Sequence, residues 1–332
     1  MNFQEFFPVL PSRQRLPIFC RLAILLLAAL SEKAAAQGPM INGWMHVGTI
    51  APAGDSDTWT VDANDGDTIV VRVHKLSTNT LFAPRLELYD PGNVILAIST
   101  TTLGAEVRVR AKSAGTHTVV VKDQSGTQTD NYRLTLAKSP GVVFVAPGDE
   151  GGAMNGTGVY NGTLERGDLD VWTFSACQGE IISLRMDELV VGSTLTPQLR
   201  LYGRAGLLSW VSGPATTQIE LLAPATGNYL VIAGAESTGG ASSSGDYSLT
   251  VNNLFGGLKL CLPTISGTNL NLTGIGSTAN AQFVLFTQTN VAAPAALWSP
   301  ILTNQFDQYG AFNQTNVSGR NEPQRYFHLL QQ

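Results

Sequence analysis

Gly54-Asp55-Ser56-Asp57-Thr58-Trp59-Thr60 returns 113 residues later (167 minus 54) as Gly167-Asp168-Leu169-Asp170-Val171-Trp172-Thr173. The same offset carries Gly66-Asp67 onto Gly179-Glu180, and Pro84-x-Leu86-x-Leu88-Tyr89 onto Pro197-x-Leu199-x-Leu201-Tyr202. Later landmarks drift by only a residue or two. Gly115-x-His117-x-Val119 matches Gly227-x-Tyr229-x-Val231, and Asn131-Tyr132-x-Leu134-Thr135 matches Asp246-Tyr247-x-Leu249-Thr250. A chain that repeats ordered landmarks at one spacing contains two copies of one structural unit.

Working outward from the heptapeptide, each copy reads as turn-rich β-structure. Ala51-Pro52-Ala53-Gly54-Asp55 is built from turn formers. In the strand that follows, period two puts Trp59 with Val61 on one face, and Trp172 with Phe174 in the same places of the second copy. The next strand turns Ile69, Val71 and Val73 inward, and its counterpart Ile182, Leu184 and Met186. Spacing survives where identity does not. No segment carries a helical period, so seven or eight short strands in about 95 residues predict an antiparallel β-sandwich.

The expected fold is all-β: two tandem, jelly-roll-like antiparallel β-sandwiches over 40–138 and 159–252, joined by a Pro- and Gly-containing linker over 139–158. A smaller C-terminal β-module over 258–332 does not match the repeat; Leu270-x-Leu272, Phe283-x-Leu285 and Phe312 suggest its strands, and its expected core aromatics are Trp298 and the pair Tyr326-Phe327. Residues 1–36 read as an export leader. Arg13, Arg15 and Arg21 form a basic region, Leu22 to Leu30 an apolar run too short to span a bilayer, and Ala34-Ala35-Ala36 a cleavage site that leaves Gln37 as the mature N-terminus. An uncleaved anchor is the other reading. No other apolar run reaches spanning length, so no membrane span is expected after removal of the leader.

Charged residues make up 14% of the chain, below the roughly one quarter of average soluble proteins, and the net charge is −5. That balance argues against a nucleic-acid partner, which needs a basic face, and mild acidity names no other. Without the leader two cysteines remain, Cys177 in the second copy and Cys261 beyond it. Export permits a disulfide between them, and two separate buried thiols are equally compatible with the sequence.

The repeat resembles the bacterial pre-peptidase C-terminal domain, a secreted β-sandwich found beside peptidases and other exported enzymes. The residues that carry the resemblance are Gly-Asp-x-Asp-x-Trp-Thr, the Gly-Asp or Gly-Glu turn, Pro-x-Leu-x-Leu-Tyr, Gly-x-(Tyr/His)-x-Val and (Asn/Asp)-Tyr-x-Leu-Thr, in two copies. The last segment looks like a C-terminal module of large secreted bacterial proteins. The resemblance implies an exported accessory domain, and some members of that family bind calcium.

The four histidines, His46, His74, His117 and His328, lie in no metalloprotease motif, and no serine occupies a nucleophile elbow. The chain is therefore expected not to be an enzyme. Strand parity points Asp55 with Asp57, and Asp168 with Asp170, the same way as the adjacent tryptophan. Their oxygens either converge on Ca²⁺ or accept backbone N–H groups and shape the turn. Asp62 to Asp67 lacks the spacing of a helix-loop-helix calcium loop. Tyr89 and Tyr202 oppose the leucines in parity and are expected at the surface, either as ligand-stacking residues or as caps on the strand. The functional expectation is an exported, non-catalytic binding or structural accessory that recognises extracellular polysaccharide or protein. The rival is a non-catalytic subunit of a secreted peptidase or other hydrolase.

Overall fold

A computed structural model describes residues 36–235, 243–255, 257–267, 269–276, 278–315 and 324–332. The leader read over 1–36 lies outside these residues, apart from Ala36. Among the described residues no helix is long and apolar enough to cross a membrane.

The protein is all-β and built from antiparallel sandwiches. In the first sandwich a five-stranded sheet runs in the order Ala36–Pro39, Ser56–Ala63, Gly115–Asp123, Pro84–Tyr89, Ile95–Thr100. It faces a four-stranded sheet of Met45–Ile50, Asp130–Ser139, Thr68–Lys75 and Gly104–Arg110. The second sandwich repeats this topology strand for strand, with Gly151–Ala153, Leu169–Ala176, Gly227–Ala235, Pro197–Gly203 and Gly206–Ser212 facing Gly156–Leu164, Gly245–Phe255, Ile181–Glu188 and Thr216–Leu222. In both copies the short first strand pairs parallel with the Asp-x-Asp-x-Trp strand.

Alternation fixes the two inner cores. Trp59, Val61, Ile69, Val71, Val73, Leu86 and Leu88 fill the first, and Trp172, Phe174, Ile182, Leu184, Met186, Leu199 and Leu201 the second. At roughly 25 cal/mol per Å² of apolar area, each fully buried aliphatic side chain contributes about 1.5–3 kcal/mol. The segment over 139–158 is more than a connection. Gly151–Ala153 enters a sheet, and Met154 is buried in the second core.

The sandwiches also share a third core. On Thr68–Lys75, Asp130–Ser139 and Leu169–Ala176 the faces opposite the inner cores supply Val70, Ala137, Leu169 and Val171, which pack with Tyr202, Leu230 and Ile232. The four-stranded sheet of the first copy thus lies on the five-stranded sheet of the second. Strands covered on both faces lose their polar alternation, and Pro197–Gly203 is buried along its whole length. A charge cluster crosses this seam. Arg200 of the second copy donates to Glu106 of the first at 2.6 and 2.9 Å, and Arg72 donates to the same carboxylate at 2.9 Å. Burial alone would raise the Glu106 carboxyl, but the two guanidiniums outweigh it and hold the group below its ordinary range.

In the C-terminal module, Phe283, Phe306, Phe312, Leu272, Leu285 and Leu329 form the core, with Phe283 ring centroids 4.7 Å from Phe306 and 4.5 Å from Phe312. Trp298 departs from the expectation. It is half-buried, and its Nε1–H donates to the Ala293 carbonyl at 3.1 Å, so it closes its own loop. Tyr326 is half-buried as well, and Phe327 packs on the margin of the core. Cys177 and Cys261 form a disulfide that ties the module to the second sandwich, reinforced by Lys259 Nζ on Glu180 at 2.8 Å.

Candidate metal centre

Each Asp-x-Asp-x-Trp strand ends in the same buried relay. In the first copy the Trp59 Nε1–H donates to Tyr132 Oη at 2.9 Å, and the Tyr132 hydroxyl donates to Asp57 Oδ2 at 2.6 Å. In the second, Trp172 donates to Tyr247 at 3.0 Å and Tyr247 to Asp170 Oδ2 at 2.5 Å. Two motifs that looked separate in the sequence, Asp-x-Asp-x-Trp and (Asn/Asp)-Tyr-x-Leu-Thr, are thus one hydrogen-bonded unit. A third partner was missed. Gly48 and Gly162 sit where a Cβ would come within 2.3 Å of the Tyr132 ring and 2.6 Å of the Tyr247 ring. Thr49 and Thr163 beside them donate to Asn131 and Asp246, the residues that precede each tyrosine. The signal was present as Gly-Thr-Ile50 and Gly-Thr-Leu164, which repeat with the copies.

The copies differ at the other oxygen of the inner aspartate. Asp57 Oδ1 accepts the side-chain amide of Gln37 at 2.8 Å. Gln37 is the bulged residue between Ala36 and Gly38, whose partners Thr58 and Trp59 are adjacent. In the second copy Gly151 and Gly152 pair with Val171 and Trp172 with no residue between them, so no amide reaches the carboxylate. Asp170 is fully buried, and its Oδ1 has no hydrogen-bond partner. A buried carboxylate oxygen left without a donor costs about 1–3 kcal/mol or more.

In place of the amide there are more carboxylates. Oxygens of Asp149, Asp168 and Asp170 lie within 4.8 Å of one another. Asp149 comes from the segment between the sandwiches, Asp168 from the turn before the strand, and Asp170 from the strand itself. Asp168 Oδ1 accepts the Leu169 N–H at 2.8 Å, and an Asp149 oxygen accepts the Glu150 N–H at 3.1 Å, which aims both side chains. Burial, with repulsion from Asp149 next, pushes the Asp168 carboxyl up to about 6. Burial and then the charge of Asp168 push Asp170 well above the carboxylate range, and burial raises Asp149. Two buried carboxylates and the half-buried Asp149, gathered this closely, favour a proton or a cation between them. Their donors are all oxygen, which suits Ca²⁺ rather than the N- and S-seeking transition metals. The orphaned Asp170 oxygen suits such an ion: Asp149, Asp168 and Asp170 would hold it, and it would supply the missing countercharge.

The structure gathers the four expected aspartates differently in the two copies. In the first copy Asp57 is satisfied by Gln37 and Tyr132, Asp55 accepts the Ser56 N–H at 2.7 Å, and among the described residues no third carboxylate joins the two. Asp149, outside the repeat alignment, joins Asp168 and Asp170. Of the two tyrosines, Tyr89 is half-buried with its hydroxyl on Glu87 Oε2 at 2.6 Å. Tyr202 is not at the surface at all; it is 1% exposed, because the first sandwich covers the face on which it stands.

No family model matches this chain, and no curated protein matches it. Solved structures give distant likenesses. One is the pre-peptidase C-terminal domain of a collagenase from Bacillus anthracis, 13% identical, TM-score 0.27, covering 32% of this chain and 99% of that one. Another is PliG, a periplasmic inhibitor of g-type lysozyme from Aeromonas hydrophila, 11% identical, TM-score 0.25, covering 32% and 100%. A DUF4785 family protein from Legionella pneumophila is 13% identical with TM-score 0.23 and covers 88% and 85%. These values assign no family and no activity.

Proposed function

We propose that this protein is an exported, non-catalytic accessory whose second sandwich is stabilised by one calcium ion held by Asp149, Asp168 and Asp170, and whose task is binding or support outside the cytoplasm. The observation that carries the calcium reading is the Asp170 carboxylate, which belongs to a cluster of three carboxylates and has one oxygen buried without a donor. The disulfide supports an oxidising compartment, as do the leader features of the sequence. Extracellular modules with Kd near 10⁻⁴–10⁻³ M for Ca²⁺ suit the millimolar calcium of such surroundings.

The histidines support a structural role for the rest of the chain. His46 Nε2 accepts the Ile41 N–H at 3.0 Å and packs against Trp59. His74 rests on the Lys75 carbonyl, and His117 is fully buried against the Gly115 carbonyl. The extracellular partner is polysaccharide or protein in this reading.

Thermal unfolding in calcium against chelator tests the proposal. At tenfold excess over Kd, linkage contributes about 1.4 kcal/mol, a rise of a few degrees in Tm. A parent protein whose Tm ignores calcium, or one that hydrolyses peptide, ester or glycoside substrates through one histidine, overturns it.

A further inference from the structure

The candidate cation site stands against the seam between the sandwiches, and three side chains of the first copy grip the turn that carries it. Arg133 donates to the Arg166 carbonyl at 3.0 Å and pairs with Glu165. Arg72 donates to the Asp168 carbonyl at 3.3 Å and to the Ala235 carbonyl at 3.2 Å. His74 packs so closely on Gly167 that a Cβ there would lie 2.1 Å from the His74 Cβ. Gly167 is also held at φ +77°, so the turn admits no other residue without strain. The equivalent turn of the first copy, around Gly54, is exposed, and a Cβ at Gly54 would come no closer than 3.7 Å to the Gly126 carbonyl.

The ligands divide across the same seam. Asp149 lies on the segment that leaves the first sandwich, which is itself held to that sandwich where Asn42 donates to the Lys138 and Val142 carbonyls at 2.9 and 3.0 Å. Asp168 lies on the gripped turn, and Asp170 is anchored in the second core through Tyr247. An ion between them joins the connecting segment, the seam and the second core at one point. Without it, three mutually repelling carboxylates sit beside the contacts that fasten one sandwich to the other.

We infer that calcium at Asp149, Asp168 and Asp170 acts as a pin between the sandwiches, so that its occupancy sets how tightly the first copy holds the second. This rests on the calcium reading above and extends it from stability of one domain to rigidity of the pair.

The experiment uses the full chain, with calorimetric titration of CaCl₂ beside amide hydrogen exchange in CaCl₂ or chelator. If calcium binds, amides of Thr68–Lys75 and Asp130–Ser139, which carry no ligand, should exchange about tenfold more slowly, the ratio set by linkage at tenfold excess of ion. In Arg133→Met calcium should still bind, and the protection of Asp130–Ser139 should be lost. Binding in the parent with protection confined to residues 149–172 overturns the pin and leaves the calcium reading standing. Absence of heat and of any exchange response overturns both. Protection of Asp130–Ser139 that persists in Arg133→Met overturns the route through that side chain.

Discussion

The two copies solve one problem in two ways. Each buries an aspartate behind its tryptophan and satisfies one oxygen through a tyrosine hydroxyl. The first copy meets the other oxygen with the amide of Gln37, a neutral donor on a bulge; the second lacks the bulge and gathers two more carboxylates beside Asp170. Topology, core and relay are the same, so the difference isolates what one inserted residue does. An amide closes the site, while its absence leaves clustered carboxylates that favour a proton or a cation.

The largest test of the comparison removes a feature that only the second copy has. Cys177 stands where the first copy has Asn64, and its bridge closes a separation of 84 residues. A loop of that size stabilises by roughly 4–5 kcal/mol in the chain-entropy account. Reduction should loosen the C-terminal module and the Cys177 turn while leaving the first sandwich protected. Uniform loss of exchange protection along the chain would show that the module is held otherwise.

Next come the tryptophans. Trp59→Ala and Trp172→Ala should each cost about 3–5 kcal/mol, because both side chains are buried and each also strands a tyrosine–aspartate pair. The shared core of Val70, Ala137, Leu169, Val171, Tyr202, Leu230 and Ile232 predicts a joint transition in both variants. Two well-separated melts in either variant would mean the seam carries little energy.

The pH response should separate the copies in chelator. Asp168 titrates at about 6 in the folded protein, above the roughly 3.9 of an unfolded chain. The folded state therefore holds more protons between those values, and stability rises as pH falls from 7.5 through 6 towards 4. The gain is on the order of 2 kcal/mol, and calcium should abolish it by replacing the proton. A chelated protein that only loses stability over that range contradicts the clustered carboxylates.

The smallest effect comes from the hydroxyls. Tyr132→Phe leaves Asp57 with Gln37, whereas Tyr247→Phe leaves Asp170 with no donor, so the second should cost about 1 kcal/mol more in chelator. Added calcium should narrow that gap. Equal costs under both conditions would remove the asymmetry.

Much of this was legible in the sequence. The repeat announced itself, and period two placed Trp59, Val61, Trp172 and Phe174 in their cores, because a strand with one buried face writes its orientation into alternate residues. The seam was not legible. Tyr202, Arg200 and Glu106 lie on faces that a single sandwich would expose, and only a second sheet laid over them makes them interior. Asp149 was hidden for a related reason. It lies outside the duplicated landmarks, in a stretch read as linker, and becomes a candidate ligand only when Gly151–Ala153 pairs beside the Asp-x-Asp strand. The first copy's inability to match it was equally invisible, because it depends on a bulge.

Calorimetric titration of the full chain with CaCl₂ at pH 7.5 tests the central claim most directly, with Asp57→Asn and Asp170→Asn measured beside the parent. One ion should bind per chain, Asp57→Asn should leave that binding in place, and Asp170→Asn should abolish it. Two ions per chain, none, or one that is lost with Asp57 and kept without Asp170 would contradict the account.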